Sequence, residues 1–295
     1  MGLDAASLFN VNGMVAIITG GSSGIGVTWA HALDQNGAAK VFILGRRENK
    51  LKEVAAAAKN KTLIPIVCDC SKKESLQAAA AQIEKQTPFI NLLIANAGVL
   101  CKTTGLIPRP EGTTVEQVAQ DLWEKTTWED ADNCLATNIA GSYFTFIAFL
   151  KLLGAGNEHP DSKWKGLVQS QFITNSSSSA LWRGEEPAYM YNASKSALIN
   201  LTKNIATAFA KYGIRANSIA PGLFLTEINE HDFPRDPDPK LPGSYPASWL
   251  PATRAGDDED IAGVLLFLAS RAGAYMNGCV LLTDGGMVST KPGSY

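Results

Sequence analysis

The sequence lacks the features that would place this chain in a membrane or on a nucleic acid. No run approaches the roughly 20 apolar residues that a bilayer-spanning helix needs, and the first residues carry no basic region of the kind that opens a signal peptide. Lys and Arg total 26 against 28 Asp and Glu, so no excess of positive charge would attract nucleic acid or an anionic membrane. We therefore expect a cytoplasmic protein that binds neither.

Cysteine is scarce and poorly spaced for a metal site. The chain has five cysteines, an odd number, and no C-x-x-C pair. A metal or redox centre needs more ligands at suitable spacing than these provide. We interpret all five as ordinary buried thiols and expect no bound metal. They are Cys68, Cys70, Cys101, Cys134 and Cys279.

Short apolar runs alternate with helical stretches along the whole chain. Such alternation indicates a parallel sheet covered on both faces. We predict an α/β fold: a single doubly wound Rossmann domain over residues 1–295, with a seven-stranded parallel sheet and helices on both faces. The predicted strands are Met14–Ile18, Val41–Leu44, Leu63–Val67, Leu92–Ala95, Leu167–Thr174, Arg215–Ile219 and Val280–Thr283. The first predicted helix ends at Leu33. The other predicted helices are Lys50–Lys59, Ser71–Gln86, Ala131–Leu153, Tyr191–Tyr212 and Asp258–Ser270.

Two segments, Gly105–Trp128 and Leu223–Arg254, interrupt this alternation. Long irregular segments in a compact domain are typical of lids and binding loops, and a surface insertion is the alternative. The second segment is rich in proline and also holds aromatic residues, which favours a substrate lid at about 223–254. The aromatic residues are Phe224, Phe233, Tyr245 and Trp249.

A glycine-rich turn, Thr19–Gly26, follows the first strand and begins the first helix. Its glycines permit a tight turn and a close approach of the backbone. The helix N-terminus offers free N–H groups and a positive dipole end to a phosphate. The turn therefore predicts a nucleotide-binding site, because it lies in the strand–turn–helix context that such a site requires.

The spacing T-G-x-x-x-G-x-G of this turn resembles that of the short-chain dehydrogenase/reductase family. Further motifs of that family follow in order from Val11 to Gly286, which is nearly the whole chain. These motifs are Asn96-Ala97-Gly98, Asn138, Tyr191-x-x-x-Lys195, Pro221-Gly222 and Asp284-Gly285-Gly286. The insertions are most similar to the branch with 3-oxoacyl carrier-protein reductase-like enzymes and ketone reductases of secondary metabolism.

The resemblance implies a nicotinamide cofactor, and the residues after the second strand indicate which one. In the family an acidic residue at this place selects NAD, but here the place is taken by Gly45 and is followed by Arg46 and Arg47. We therefore expect no carboxylate here to repel a 2′-phosphate, and an arginine can bind such a phosphate by paired hydrogen bonds. We expect NADP(H), with Arg46 the better candidate and Arg47 the second; two solvated arginines are the alternative.

Other cofactor contacts are expected from the resemblance, position by position. Asp69, with Cys70 beside it, matches the acidic residue near the adenine ring. The Asn96-Ala97-Gly98 motif would lie under the adenosine ribose, and the segment from Pro221 to Thr226 would flank the nicotinamide amide. The remaining expected contacts are Gly20, Ser22, Ser23, Ile25, Gly222 and Leu223, together with Tyr191 and Lys195.

Tyr191 and Lys195 are four residues apart on a predicted helix, which places them on one face. An isolated tyrosine has a pKa of about 10, and a nearby ammonium would lower it and ease proton exchange. Tyr189 has no lysine four places further on, so it is not the equivalent residue. By resemblance, Lys195 also binds the nicotinamide ribose.

The catalytic serine lies in a run of four, Ser176 to Ser179. By resemblance it ends the fifth strand, after two apolar residues and before a small one. Ser177 fits this pattern better than Ser178, and both intervals to Tyr191 occur in the family. Its hydroxyl would polarise the substrate carbonyl. Asn138 matches the residue of a helix kink that links Lys195 to solvent through a water; a plain helix-interior asparagine is the alternative.

The resemblance implies hydride transfer from NADPH to a carbonyl, with Tyr191 as general acid. The aromatic lid favours an apolar ketone or an acyl or polyketide-like small-molecule substrate. The alternative is a non-redox protein on this scaffold, either an isomerase or cyclase or a cofactor-sensing binder. Retention of all four catalytic residues argues against that alternative.

Two predicted helices are apolar around much of their circumference, which implies burial on more than one side. They are Ala136–Leu153 and Tyr191–Phe209, and in the family these helices pair with their copies in a neighbouring subunit. We expect a homo-oligomer, with a tetramer favoured over a dimer.

Overall fold

Seven strands form one parallel sheet in the computed structural model, which describes residues 2–101, 110–183, 188–227, 229 and 238–293. The strand order is β3-β2-β1-β4-β5-β6-β7, so the sheet grows to one side from β1 and to the other from β4. This confirms the predicted α/β fold. The strands are β1 (Val15–Thr19), β2 (Lys40–Gly45), β3 (Leu63–Val67), β4 (Leu92–Ala95), β5 (Gln171–Asn175), β6 (Arg215–Pro221) and β7 (Val280–Thr283).

Helices cover both faces of the sheet, because the central strands β1, β2 and β4 are apolar on both sides. One face is covered by helices that bury Trp29 and Leu265, and the other by helices that bury Phe149 and Ile205. The helices are α1 (Ala5–Leu8), α2 (Gly24–Gln35), α3 (Glu48–Ala57), α4 (Lys73–Glu84), α5 (Val115–Lys125), α6 (Trp128–Leu135), α7 (Ser142–Glu158), α8 (Tyr189–Phe209) and α9 (Asp258–Ala269). The Trp29 indole N–H donates to the Ile261 carbonyl at 3.1 Å and so joins α2 to α9.

The carboxyl ends of β1 and β4 lie side by side where the direction of winding reverses. Ile18 of β1 pairs with Ile94 of β4, and Ala95 at the end of β4 pairs with Thr174 of β5. Ligands of doubly wound sheets bind in the crevice that opens at such a switch point. The loops that follow β1, β2, β4, β5 and β6 therefore meet at one edge of the sheet.

The helical stretch Trp128–Glu158 is continuous through α6, a π-helical segment at Ala136–Gly141, and α7. By length and composition alone it could cross a membrane. Its apolar side chains Phe146, Phe149 and Leu153 are instead buried against the sheet, as in a core helix. The stretch begins before the predicted start at Ala131, while β5 begins at Gln171 rather than at Leu167.

The interpretation of all five cysteines as thiols is wrong for two of them. Cys101, after β4, and Cys134, on α6, form a disulfide across a sequence separation of 33 residues. Cys68, Cys70 and Cys279 are free. The pairing depends on how the segment after β4 packs against α6, which cysteine spacing does not reveal.

The two irregular segments contain more structure than their sequences suggested. Residues 110–128 include α5, which begins with a capping box at Thr114. In the second segment, Leu223 and Leu250 pack with Met287 from the C-terminal part, and the rings of Tyr245 and Trp249 lie 5.3 Å apart. Phe233 lies outside the described residues, and a lid at 223–254 stays a prediction.

Candidate active site

The glycine-rich turn packs too closely against the end of β4 to accommodate side chains. Gly20 has φ +68°, and a Cβ on it would lie 2.9 Å from the Ala97 Cα. A Cβ on Gly26 would lie 2.3 Å from the Gly20 carbonyl oxygen. The Ser23 side chain makes no capping hydrogen bond within the described chain, so the first N–H groups of α2 face the crevice. This turn can therefore receive an anion.

Asn96 joins three strand ends beneath the crevice. Its Nδ2 donates to the Thr19 carbonyl at 2.9 Å, and its Oδ1 accepts from Asn175 Nδ2 at 2.8 Å. The Asn96 backbone N–H donates to the Thr19 hydroxyl at 3.0 Å. The side chain of this motif residue thus holds the floor of the site together.

A cleft of about 560 Å³ lies along this edge of the sheet. It brings together every predicted cofactor residue except Leu223, which packs with Leu250 and Met287 instead. The cleft is lined by Gly20, Ser22, Ser23, Ile25, Arg46, Arg47, Asp69, Cys70, Asn96, Ala97, Gly98, Pro221, Gly222 and Thr226, and by Ser177, Tyr191 and Lys195. A single cleft therefore contains both the phosphate turn and three of the four predicted catalytic residues, all but Asn138.

The outer end of the cleft carries two arginines and, contrary to expectation, a carboxylate. Glu227 Oε2 lies 2.7 Å from Arg47 Nη1, with both side chains about half exposed. The prediction that no carboxylate is available at this place is wrong. Glu227 is 180 residues from Arg47 in sequence and reaches it only because the segment after β6 folds across the cleft. No sequence pattern would have identified it.

Asp69 and Cys70 lie on the same side, just beyond β3. Burial opposes ionisation of Asp69, but hydrogen bonds from Ser71 and the nearby charges of Arg46 and Lys72 together lower its pKa. The Asp69 carboxylate accepts from the Ser71 hydroxyl at 2.7 Å. An ionised, fixed carboxylate is thus available to accept hydrogen bonds at the cleft wall.

Pro221-Gly222 and Asp284-Gly285-Gly286 pack against one another beside the cleft. A Cβ on Gly222 would lie 2.6 Å from the Asp284 Cα, so this approach requires glycine. The Asp284 carboxylate accepts from the backbone N–H groups of Gly286 at 2.9 Å and Val288 at 2.7 Å. The second motif therefore supports the wall that the first one forms.

Tyr191, Ser177 and Lys195 meet at the inner end of the cleft. Ser177 and Tyr191 line the cleft together, and Ser177 lies close enough to the Tyr191 hydroxyl to affect its pKa. Lys195 Nζ lies 5.6 Å from the centroid of the Tyr191 ring and donates to the Asn175 carbonyl at 2.7 Å. The helical spacing of Tyr191 and Lys195 on α8 puts both on the face toward β5, as expected.

Burial dominates the acid–base properties of this group. It raises the pKa of Tyr191 above its ordinary value, although the nearby Ser177 side chain acts in the opposite direction. It also lowers the pKa of Lys195 to about 8. The net shift of Tyr191 is opposite to the expected lowering by Lys195, because removal of the phenol from water outweighs the other contributions. At neutral pH the phenol is therefore protonated and can donate a proton.

Asn138 lies behind the cleft, fully buried in the π-helical segment. Its Oδ1 accepts from the Val99 N–H at 2.9 Å, and its Nδ2 donates to the Val99 carbonyl at 3.0 Å and to Ser194 Oγ at 3.0 Å. The side chain thus clamps the segment that follows Gly98. The irregular helix agrees with the expected kink, and the water relay stays a prediction.

Comparison with known proteins places this geometry in a family. The family model described as "Enoyl-(Acyl carrier protein) reductase" matches residues 20–288. The fold and this match identify an oxidoreductase of the class that acts on alcohol or carbonyl groups with a nicotinamide cofactor. The chain belongs to the short-chain dehydrogenase/reductase family.

Relatives of full length support the assignment. The chain is 41% identical over 294 residues to short-chain dehydrogenase/reductase PhomF of Diaporthe leptostromiformis, covering 99% of this chain and 97% of the relative. It is 40% identical over 275 residues to short-chain dehydrogenase/reductase SAT3 of Stachybotrys chartarum, covering 90% and 100%.

Solved structures are also similar over nearly their whole length. A gluconate 5-dehydrogenase from Burkholderia cenocepacia, in complex with NADP and tartrate, has a TM-score of 0.77 at 26% identity, with 97% of this chain and 99% of that one covered. RhlG of Pseudomonas aeruginosa, in an NADP active-site complex, has a TM-score of 0.74 at 25% identity, with 95% and 98% covered.

Proposed function

We propose that this chain is an NADP(H)-dependent reductase of an apolar ketone or acyl-type carbonyl substrate. The observation that carries the proposal is that Tyr191, Ser177 and Lys195 meet at the inner end of a nucleotide cleft. Two hydroxyl groups at one point can both donate to a single carbonyl oxygen. The buried Lys195 beside them stabilises negative charge on the phenol oxygen.

The residues of the cleft fit a nicotinamide dinucleotide. The close packing at Gly20 and Gly26 keeps side chains out of the turn, and Ser23, Gly24 and Ile25 at the start of α2 line the cleft. Arg46 and Arg47 lie where the adenosine ribose would end, and two of the similar solved structures hold NADP. The turn would bind the pyrophosphate, and the arginines a 2′-phosphate.

The chain's own residues would perform the proton chemistry. When bound, the cofactor supplies the hydride. Ser177 donates a hydrogen bond to the substrate carbonyl oxygen, and Tyr191 transfers its proton to the same oxygen as negative charge develops there. The raised pKa of Tyr191 keeps the proton on the phenol until it is needed. Lys195, with a pKa of about 8, is mostly charged at neutral pH and stabilises the phenolate that remains.

The walls beside the hydroxyl pair support an apolar substrate. Val99 and Leu100 follow Gly98, which lies beside Lys195, and they line the cleft together with Thr137 from the α6–α7 stretch. A ketone with an apolar substituent would place the substituent against these side chains and the carbonyl at Tyr191.

Replacement of the proton donor tests the proposal. Tyr191→Phe should lower turnover of NADPH with a panel of apolar ketones by about 100-fold or more, the contribution of general acid catalysis. NADPH binding, measured by nicotinamide fluorescence, should be retained. Tyr189→Phe, an exposed tyrosine on the same helix, is the control and should leave both quantities unchanged. Substantial reduction by Tyr191→Phe would overturn the assignment.

Replacement of Arg46 tests the cofactor. Arg46→Asp removes a phosphate partner and adds repulsion, so it should weaken NADPH binding strongly and NADH binding little. Titration of each dinucleotide against both proteins gives the comparison. Equal losses would show that Arg46 does not bind the 2′-phosphate.

A further inference from the structure

The guanidinium of Arg47 is engaged at both of its terminal nitrogens. Nη1 forms the 2.7 Å ion pair with Glu227, and Nη2 donates to the Ser22 hydroxyl at 3.5 Å. Ser22 belongs to the phosphate-binding turn, and all three residues line the cleft. The ion pair therefore lies inside the cofactor cleft, at its ribose end.

Glu227 reaches Arg47 from the opposite wall. It follows Thr226, whose Cβ lies 3.1 Å from the position that a Cβ on Gly24 would occupy. Thr226 N–H donates to Asn229 Oδ1 at 2.9 Å, which fixes the turn that carries the carboxylate. The pair thus spans from the segment after β6 to the end of β2, across the N-terminus of α2.

A carboxylate and a phosphate use the same donors of a guanidinium. Both are anions that accept paired hydrogen bonds from the arginine fork, so they cannot occupy one edge of Arg47 together. The two side chains are 47% and 49% exposed, and an ion pair of this kind contributes little to stability. A bound phosphate can therefore displace Glu227 at a small cost.

We propose that Glu227 is a residue that sets cofactor preference, because its carboxylate competes with the 2′-phosphate for Arg47. This inference rests on the proposed function, in which the cleft binds NADP(H). Glu227 opposes NADPH in two ways: it occupies a donor pair that the 2′-phosphate needs, and it repels that phosphate. NADH has no 2′-phosphate and meets only the weaker, general repulsion.

Dissociation constants of NADPH and NADH, measured by fluorescence titration, test the inference. Glu227→Gln should tighten NADPH binding by about 2–5-fold, the change that the strength of an exposed ion pair allows, and should tighten NADH binding less. Glu227→Asp keeps the charge but shortens the side chain, so its effect on the ratio should be smaller than that of Glu227→Gln. The ratio of the two constants is the quantity that decides.

Glu48→Gln is the matched control, because Glu48 is adjacent to Arg47 in sequence but pairs with Lys52 and lies outside the residues that line the cleft. It should leave the ratio unchanged. In an Arg47→Met background, the effect of Glu227→Gln on the ratio should shrink to the part that repulsion alone causes. Equal effects of Glu227→Gln on both cofactors, or an undiminished effect on the ratio without Arg47, would overturn the inference. A wild-type protein that prefers NADH would instead refute the proposed cofactor.

Discussion

At the scale of single residues, the four consecutive serines have four different surroundings. Ser176 Oγ donates to the Lys195 carbonyl at 2.8 Å, and Ser178 is buried at the start of a short 3₁₀ turn. Ser177 lies between them in extended conformation and accepts from the Ser179 hydroxyl at 2.9 Å. Ser177 thus lies in the cleft with Tyr191, whereas the Ser176 hydroxyl is bonded to the backbone of α8.

Serine-to-alanine exchange should separate these roles. Ser177→Ala should lower kcat/KM by about 100-fold, since it removes a donor to the developing oxyanion. Ser178→Ala should change it much less, and NADPH binding should be retained in both. Steady-state kinetics with one ketone decides. The reverse order of effects would mean that the reacting serine is Ser178.

The buried Lys195 should make stability depend on pH. Its pKa of about 8 in the folded chain lies below its ordinary value of 10.5, so between these values the folded protein binds fewer protons than the unfolded one. The free energy of unfolding then rises with pH across this window, by up to about 3 kcal/mol. Below about pH 8 Lys195 is charged in both states, so the free energy of unfolding is lowered by the full cost of burying that charge.

Removal of the amine should abolish this dependence. Without added cofactor, Lys195→Met should have a higher free energy of unfolding in urea than the wild type at pH 7. This difference should shrink toward pH 10. Lys203→Met, on the exposed side of the same helix, controls for the loss of a lysine from α8. A constant difference between Lys195→Met and wild type from pH 7 to 10 would contradict the expectation.

At the scale of elements, the strands were predictable and several junctions were not. Runs such as Leu92–Ala95 are apolar on both sides and could only be buried strands, and the motifs at their ends located the cleft. The irregular helix at Asn138 was expected only from the family resemblance. The disulfide at Cys101 and the approach of Glu227 to Arg47 could not be predicted. Each depends on contacts between segments that are distant in sequence, for which local patterns carry no signal.

The disulfide should stabilise the junction between β4 and α6. A cross-link over 33 residues lowers the entropy of the unfolded chain, which corresponds to about 3–4 kcal/mol in the chain-entropy description. Replacing Cys101 and Cys134 together by serine should lower the unfolding midpoint in non-reducing buffer. Reductant should remove the difference from wild type, and Cys279→Ser should have no effect. Equal midpoints without reductant would show that the bond does not form.

At the scale of the whole molecule, α7 presents an exposed apolar surface. Tyr143, Phe144 and Ile147 on α7 are 44%, 37% and 45% exposed, and they adjoin Ile139 and Leu201 at a shallow depression. Members of this family typically oligomerise. We propose that α7 and α8 pair with their copies in other subunits and that the assembly is a tetramer rather than a dimer.

Light scattering coupled to size exclusion at micromolar concentration should give four times the 31.4 kDa of one chain. Ile147→Asp places a charge in the apolar surface and should lower the mass, whereas Lys151→Asp, one turn further along and 85% exposed, should not. A mass of one chain for the wild type would refute the association.

The bond between Cys101 and Cys134 also closes a covalent ring of the chain, and α5 is part of this ring. Within that ring, α5 buries no residue, and Trp123 and Trp128 are more than four-fifths exposed. A protease that cuts after aromatic residues would nick the ring and leave both fragments attached to each other. Digested protein would therefore migrate as one intact chain on a non-reducing gel and separate into two pieces only after reduction.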